Sequence, residues 1–338
     1  MVLKKIPKLP GYLQGFRKRI QTIGFLKMLK ELINYNKYYY KLLQKNGVPV
    51  NYKTILYHTS FYTKVCRMKP RISQDELINY IPTSVTHGVY RKLKINRREI
   101  AYDKYKMYLR MHNAGIDIPE IYYITDDGYE NIWDSQINYT QLQKLSKKIK
   151  VLAKPRFANA GKGIHLFNGG KIKTNHVYQE FINNHPDIVQ LQKTSFCSTV
   201  RFVAYNKKGI AQHVSAYLRI NRGSIADSGI YGSIIATIEM RSGKIISNGA
   251  MQNGTTFEYH PVSNIRIKGF QIPNWEKCLQ NVEQICGIYP ELPLIAMDIA
   301  ITQNGCKVLE INAGCGTIFL QYKERLGQHD FVKDYYPL

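Results

Sequence analysis

The chain has no pair of cysteines at C-x-x-C spacing: Cys66, Cys197, Cys278, Cys286, Cys306 and Cys315 are scattered through 338 residues. This pattern disfavours a disulfide scaffold and a zinc site of standard spacing, and leaves reduced cysteines in core and loop positions. No stretch comes near the roughly 20 uninterrupted apolar residues of a membrane span. The opening MVLKKIPKLPGYLQGFRKRIQ has no continuous apolar core and no small-residue cleavage site, so a secretory signal is not expected and the expected location is the cytoplasm. Neither a G-x-x-x-x-G-K-[ST] nor a G-x-G-x-x-G turn is found, and no Ser-His-Asp set or catalytic cysteine is evident. Acids are scarce early on. Residues 1–100 hold 21 Lys/Arg against four Asp/Glu, a net of +17 out of +24 for the chain. That asymmetry points to an anionic partner or substrate. Nucleic acid is the disfavoured choice, because no helix-turn-helix, zinc-finger or RNA-binding signature accompanies the charge.

What is present is the composition of a folded protein, 44% hydrophobic and 21% charged, with room for two or three domains. Phe16, Ile20, Ile23, Leu26, Leu29 and Ile33 recur at helical spacing with Arg17, Lys18, Arg19, Lys27 and Lys30 between them, which predicts an amphipathic helix over 16–45. Such a helix either docks on the body with a basic face to water or lies on an anionic membrane at the inner face. Tyr38-Tyr39-Tyr40 reads as packing material. Residues 71–100 predict further short helices, with Ser73 and Glu76 spaced as a capping box.

From residue 103 the pattern becomes mixed. DKYKMYLRMHNA predicts a helix ended near Gly115, Ile121–Ile124 a short strand, 139–149 a helix and Val151–Pro155 a strand. The expected division is a helical, basic region at 1–100, a catalytic body at 101–325 and a tail at 326–338.

Lys154 ends its strand and is followed by a turn of small residues, Ala158, Asn159, Ala160, Gly161, Lys162 and Gly163. Backbone N–H groups in such a turn can approach phosphate oxygens, with Lys154 reaching the charge from beside it. By itself the turn is a weak signal. Val177–Ile182 is a short strand entering a polar turn. It is either an ordinary strand end or an edge for a planar ring, with Phe181 or Ile182 against the ring. Arg201 and Arg219 sit in apolar strands and require an anion there, whether a polyphosphate, a substrate carboxylate or an internal acid. The glycines of Asp227-Ser-Gly-Ile-Tyr-Gly232 suggest a mobile loop, and His260 is a lone histidine able to line the same cleft or to be structural.

The sharpest signal is Ile295–Ala313, two apolar strands about a polar turn, interrupted by Asp298, Glu310 and Asn312. Buried acids need a partner or a metal. Glu310 and Asn312, two apart, share one face of a strand. With a three-residue loop at 303–305 Asp298 falls opposite Glu310; with a two-residue Asn304-Gly305 turn the register slips by one. Oxygen donors without Cys or His favour Mg²⁺ or Mn²⁺. The competing reading is an internal acid–arginine network.

In their order and spacing, DKYKMYLRMHNAGIDIPEIY, VLAKPRFANAGKGI, VYQEFI, STVRFVA and AMDIAITQNGCKVLEINAG resemble the ATP-grasp superfamily. With LRI, IATIEMRSGKI and HPVSN, they most resemble its sugar-transfer-associated members. The resemblance implies an α+β fold in which two subdomains clamp ATP, here preceded by a helical basic region that differs from the usual glycine-rich first domain. It implies Lys104 and Lys154 on the phosphates and the 158–163 loop covering them. Gln179, Glu180, Phe181 and Ile182 would sit at the adenine, Asp187 at the ribose, and Asp298, Glu310 and Asn312 at Mg²⁺. Arg201 and Arg219, with Lys154, would face the transferred phosphoryl group or an anionic, saccharide-type substrate. The implied activity is an ATP-dependent carboxylate–amine ligase acting through an acylphosphate in surface polysaccharide synthesis. The alternatives are a kinase on a sugar-type hydroxyl, or a non-catalytic module for an anionic membrane or polymer.

Overall fold

The computed structural model describes residues 11–313, apart from 46, 49, 97–99, 136, 159–160 and 226–231. Asn159, Ala160, the 227–231 part of the glycine loop, Cys315 and the tail at 326–338 therefore lie outside the described residues. The chain divides into two compact units. One runs to Lys94 and takes in Gln252–Thr255; the other holds Ile95–Met251 and continues from Thr256.

The first unit is helical: α1 (Gly11–Ile23), α2 (Phe25–Lys45), α3 (Tyr52–Met68), α4 (Gln74–Ile78) and α5 (Thr83–Lys92). The single helix expected over 16–45 is two helices, because Gly24 takes a φ of +83° that a side chain resists. Ser73 and Glu76 form the expected capping box at the start of α4. The core face of α2 repeats as Met28, Glu31, Tyr35, Tyr39 and Leu43. The tyrosine run contributes to that core: Tyr39 is fully buried and donates to the Ile78 carbonyl at 2.6 Å. Arg19 corrects the expected basic face, being buried rather than solvated. It forms a two-pronged ion pair with Glu31, donates to the Pro70 carbonyl at 2.8 Å, and Tyr62 donates to Glu31 at 2.7 Å. At Gly15, α1 and α3 come so close that a Cβ would lie 2.0 Å from the Thr63 carbonyl oxygen.

The second unit is α+β, built on two antiparallel sheets. The smaller has the order β1-β4-β2-β3 (Ile121–Ile124, His176–Glu180, Val151–Pro155, His165–Phe167). The larger has the order β11-β10-β5-β6-β7-β8-β9. Its strands are β5 (Thr199–Lys207), β6 (Ile210–Ile220), β7 (Ile234–Ile238), β8 (Gly249–Ala250), β9 (Thr256–Phe257), β10 (Leu294–Thr302) and β11 (Gly305–Ala313). The helices are α6 (Lys104–Asn113), α7 (Tyr139–Lys148), α8 (Pro186–Gln192) and α9 (Trp275–Ile288). Strand β10 lies between β5 and β11 and is buried from Leu294 to Ile301, which is why its sequence is almost wholly apolar and does not alternate. Helix α9 packs on the larger sheet, with Trp275 stacked on Phe202 at 5.2 Å between centroids.

Candidate functional site

The β10–β11 hairpin sets the geometry. Thr302 pairs with Gly305, so the loop is the two residues Gln303 and Asn304, shorter than the three-residue loop that would bring Asp298 and Glu310 together. That turn alone would set Asp298 opposite Leu309. The ladder then shifts: Ile299 pairs with Val308, but Asp298 pairs with Glu310. Leu309 is the extra residue of a β-bulge. The bulge turns Glu310 and Asn312 to the face of Asp298, and all three line one cavity with Leu309.

Strands β5 and β6 add the cations. Arg201 sits directly across from Asp298, and Thr199 directly across from Arg219. Arg201 grips Asp298 with both arms of its guanidinium, the Nη2–Oδ2 bond being 2.6 Å. Arg219 approaches the same carboxylate at 2.7 Å and donates to the Thr199 hydroxyl at 2.6 Å. Burial alone would push the Asp298 carboxyl up, but the two guanidiniums outweigh it and hold it below the ordinary carboxylate range. Of the two readings the sequence left for Asp298, a Mg²⁺ ligand or part of an acid–arginine network, the pairing seen is with arginine. Its oxygens are committed to arginine, and it reaches a cation only by sharing them.

The smaller sheet and α6 bring the lysines. Asp103 caps α6 by accepting from the Tyr105 N–H at 3.0 Å, and it is also gripped by Arg156 at 2.5 and 2.6 Å. This fixes Lys104, whose Nζ donates to the Ala158 carbonyl at 2.6 Å and lies 3.4 Å from Glu310. Lys154, on β2, is buried and donates to the Tyr108 hydroxyl. Burial pushes its ammonium down to about 7, with Lys104 adding to the fall and Glu310 and Asp298 opposing it. Tyr108 ties the two sheets. Its hydroxyl lies 2.7 Å from the Leu309 carbonyl on β11, to which it donates, and 3.2 Å from Gln179 on β4. Nothing in the sequence pattern marks Tyr108, which reads there as one more apolar position of a helix.

Lys104, Lys154, Arg201, Arg219, Asp298, Glu310 and Asn312 thus line one open cavity. Ala158, Gly161, Lys162, Gln179, Phe181 and Ile182 line it as well. Other expected residues are elsewhere. Glu180 faces Lys307 at 2.7 Å and accepts from the Glu120 N–H at 3.1 Å. Asp187 is exposed in the first turn of α8 beside His185. Gly163, at φ +77°, packs against Pro155. None of these three, nor His260, is among the lining residues. His260 is buried and accepts from the Ser263 N–H at 3.3 Å. Cys197 and Ile225 also line the cavity and carry no sequence signal.

The donors suit a hard cation that arrives with a polyanion. Glu310 and Asn312 line the cavity and carry oxygen donors, and the Asn312 Nδ2 is buried without a hydrogen-bond partner. Among the described residues no three His, Cys, Asp or Glu side chains gather as a metal site of their own. Five basic side chains (Lys104, Lys154, Lys162, Arg201 and Arg219) against two acids give the cavity an excess of cationic groups, which favours a polyphosphate over a bare metal ion.

The model of the sugar-transfer associated ATP-grasp family matches residues 165–330. That span holds the two arginines and the hairpin, while Lys104 and Lys154 precede it. No curated protein matches the chain. Among solved structures, N5-carboxyaminoimidazole ribonucleotide synthetase from Thermotoga maritima is 13% identical, over 70% of this chain and 49% of that one, with a TM-score of 0.36. D-alanine-D-alanine ligase from Helicobacter pylori is 12% identical over 70% and 58%, with a TM-score of 0.38. A RiPP-associated ATP-grasp ligase from Chryseobacterium gregarium, solved with ADP and a leader and core peptide, is 14% identical over 73% and 61%, with a TM-score of 0.39. The chain therefore spans about half to three fifths of the length of these structures. Residues 165–330 are therefore a sugar-transfer associated ATP-grasp domain, of the ATP-grasp superfamily.

Proposed function

We propose that this protein is an ATP-dependent ligase that activates a carboxylate as an acylphosphate and passes it to an amine, with an acidic saccharide of surface polysaccharide synthesis as the carboxylate donor. The observation that carries the reading is the convergence of Lys104, Lys154, Arg201 and Arg219 with Glu310 and Asn312 on one cavity. Phosphoryl transfer asks the protein for charge neutralisation and alignment more than for a nucleophile. Magnesium-bound ATP would supply the phosphoryl group. Lys104 and Lys154 would hold its phosphate oxygens, Phe181 and Ile182 would offer apolar surface to the base, and Glu310 and Asn312 would hold the metal. Arg201 and Arg219 would orient the substrate carboxylate. Its oxygen bonds to the γ-phosphorus as the bond to the ADP oxygen breaks. The amine then attacks the acyl carbon, loses a proton, and inorganic phosphate leaves. Covering the cavity with the 158–163 loop would keep water from the acylphosphate.

The test has two parts. Titration calorimetry with magnesium-ATP is expected to show binding that Lys104→Ala or Glu310→Gln weakens at least tenfold, about 1.4 kcal/mol or more. Incubation of enzyme, ATP and a panel of uronic acids with hydroxylamine is expected to give a hydroxamate. A stable phosphorylated sugar instead would identify a kinase, and unchanged ATP turnover in Glu310→Gln would remove the metal role.

A further inference from the structure

Helix α2 carries a second apolar stripe beside the one that packs into the core. Phe25, Leu26, Leu29 and Ile33 are exposed, Leu26 at 78% and Phe25 at 57%, although Met28 and Tyr35 on the same helix are buried. Positions 25, 29 and 33 recur every four residues, so they form one line along the helix with Leu26 beside it. Lys27, Lys30 and Lys37 are exposed on the same helix. The stripe begins at the α1–α2 corner, where Gly24 has nothing within 4 Å of a would-be Cβ.

We infer that this corner is a docking surface for an anionic lipid bilayer, which α2 enters along its outer stripe without crossing. Four large apolar side chains held in water by folded structure form a patch that seeks cover. The cover must also be anionic, since residues 1–100 carry +17 and the one acid within α2, Glu31, is buried against Arg19. A second copy of this chain would bring the same lysines face to face. A hydrophilic polyanion would satisfy the lysines but leave Phe25 and Leu26 wet. A bilayer surface with anionic headgroups covers both. No described helix is long and apolar enough to cross a membrane, so α2 lies in the interface. This inference stands apart from the proposed chemistry, since none of its residues lines the cavity.

The full-length protein is to be sedimented with phosphatidylcholine vesicles, with and without about 30% phosphatidylglycerol. Binding is expected only to the anionic vesicles, and it should weaken as salt is raised. Phe25→Ser with Leu26→Ser is expected to lower binding at least tenfold, as is Lys27→Glu with Lys30→Glu. A Phe25→Trp reporter should shift its emission to the blue on the anionic vesicles only. Circular dichroism and magnesium-ATP affinity show that each variant is folded. No binding to anionic vesicles at low salt would overturn the inference. So would binding indifferent to Phe25 and Leu26, or a dimer in sedimentation velocity that the Phe25/Leu26 variant abolishes.

Discussion

Lys154 is the residue whose chemistry depends most on its setting. In the free protein its ammonium is held near pH 7 by burial and by Lys104, so above that pH it is mostly neutral. A polyphosphate beside it restores the charged form, and binding at pH 8 to 9 must then take up a proton. Calorimetry of magnesium-ATP binding in buffers of different ionisation enthalpy should report up to one proton taken up, and Lys154→Met should abolish the uptake. Affinity should fall as pH rises through this range. The same shift acts on folding. A lysine with a lowered folded pKa costs stability in full below about pH 7, and that cost fades as pH rises toward the unfolded value of about 10.4. Asp298 has the opposite sense. Asp298→Asn would leave the Arg201 and Arg219 guanidiniums beside a neutral amide in a buried site, a loss of about 3–5 kcal/mol. Urea denaturation should resolve it. Both residues were legible in the sequence as charges out of place among apolar neighbours. Their partners were not, since Arg201 and Asp298 are 97 residues apart and only the strand register joins them.

At the scale of elements, local pattern predicted α6, α7, β1 and β2 closely, because each is bounded by its own cap, turn or proline. It was misled where one residue overrides the pattern. Gly24 breaks what the apolar spacing draws as a single helix, and Leu309 resets a hairpin whose turn alone would misplace Glu310. Arg19 belongs to the same class. Helical spacing assigned it to water, yet Glu31, Tyr62 and the Pro70 carbonyl draw it inside. Close approach is equally invisible until helices are packed. Gly15→Ala puts a methyl group 2.0 Å from the Thr63 carbonyl oxygen, so α1 and α3 must part. The expected cost is about 1–3 kcal/mol, read as a lower denaturation midpoint with α-helical circular dichroism retained at rest.

At the scale of the whole molecule, composition draws a contrast between a basic part and a mixed part, while the compact units change at Lys94 and the first also takes in Gln252–Thr255. The cavity lies entirely within the second unit. Motif order was enough to name most of its lining, because lysine, loop and acid pair occur in one sequence. Glu180, Asp187 and Gly163 are not among the lining residues, and their contacts are with other partners. The exposed stripe on α2 was legible in part: Leu26, Leu29 and Ile33 stand in the helical spacing, where an anionic membrane was one of two covers expected. Spacing registers an apolar face but does not say whether protein or something else covers it.

The single extra residue at Leu309 also bears on how this chain can vary in length. With the two-residue turn, an even ladder would send Glu310 and Asn312 to the opposite face of the sheet. One residue lost from the turn, or one gained between Gly305 and Val308, would therefore silence the hairpin's oxygen donors without unfolding it. A second, compensating change on the same hairpin would restore them. Related chains that keep this cavity should differ here by paired insertions and deletions, and single ones should fall in loops beyond the hairpin.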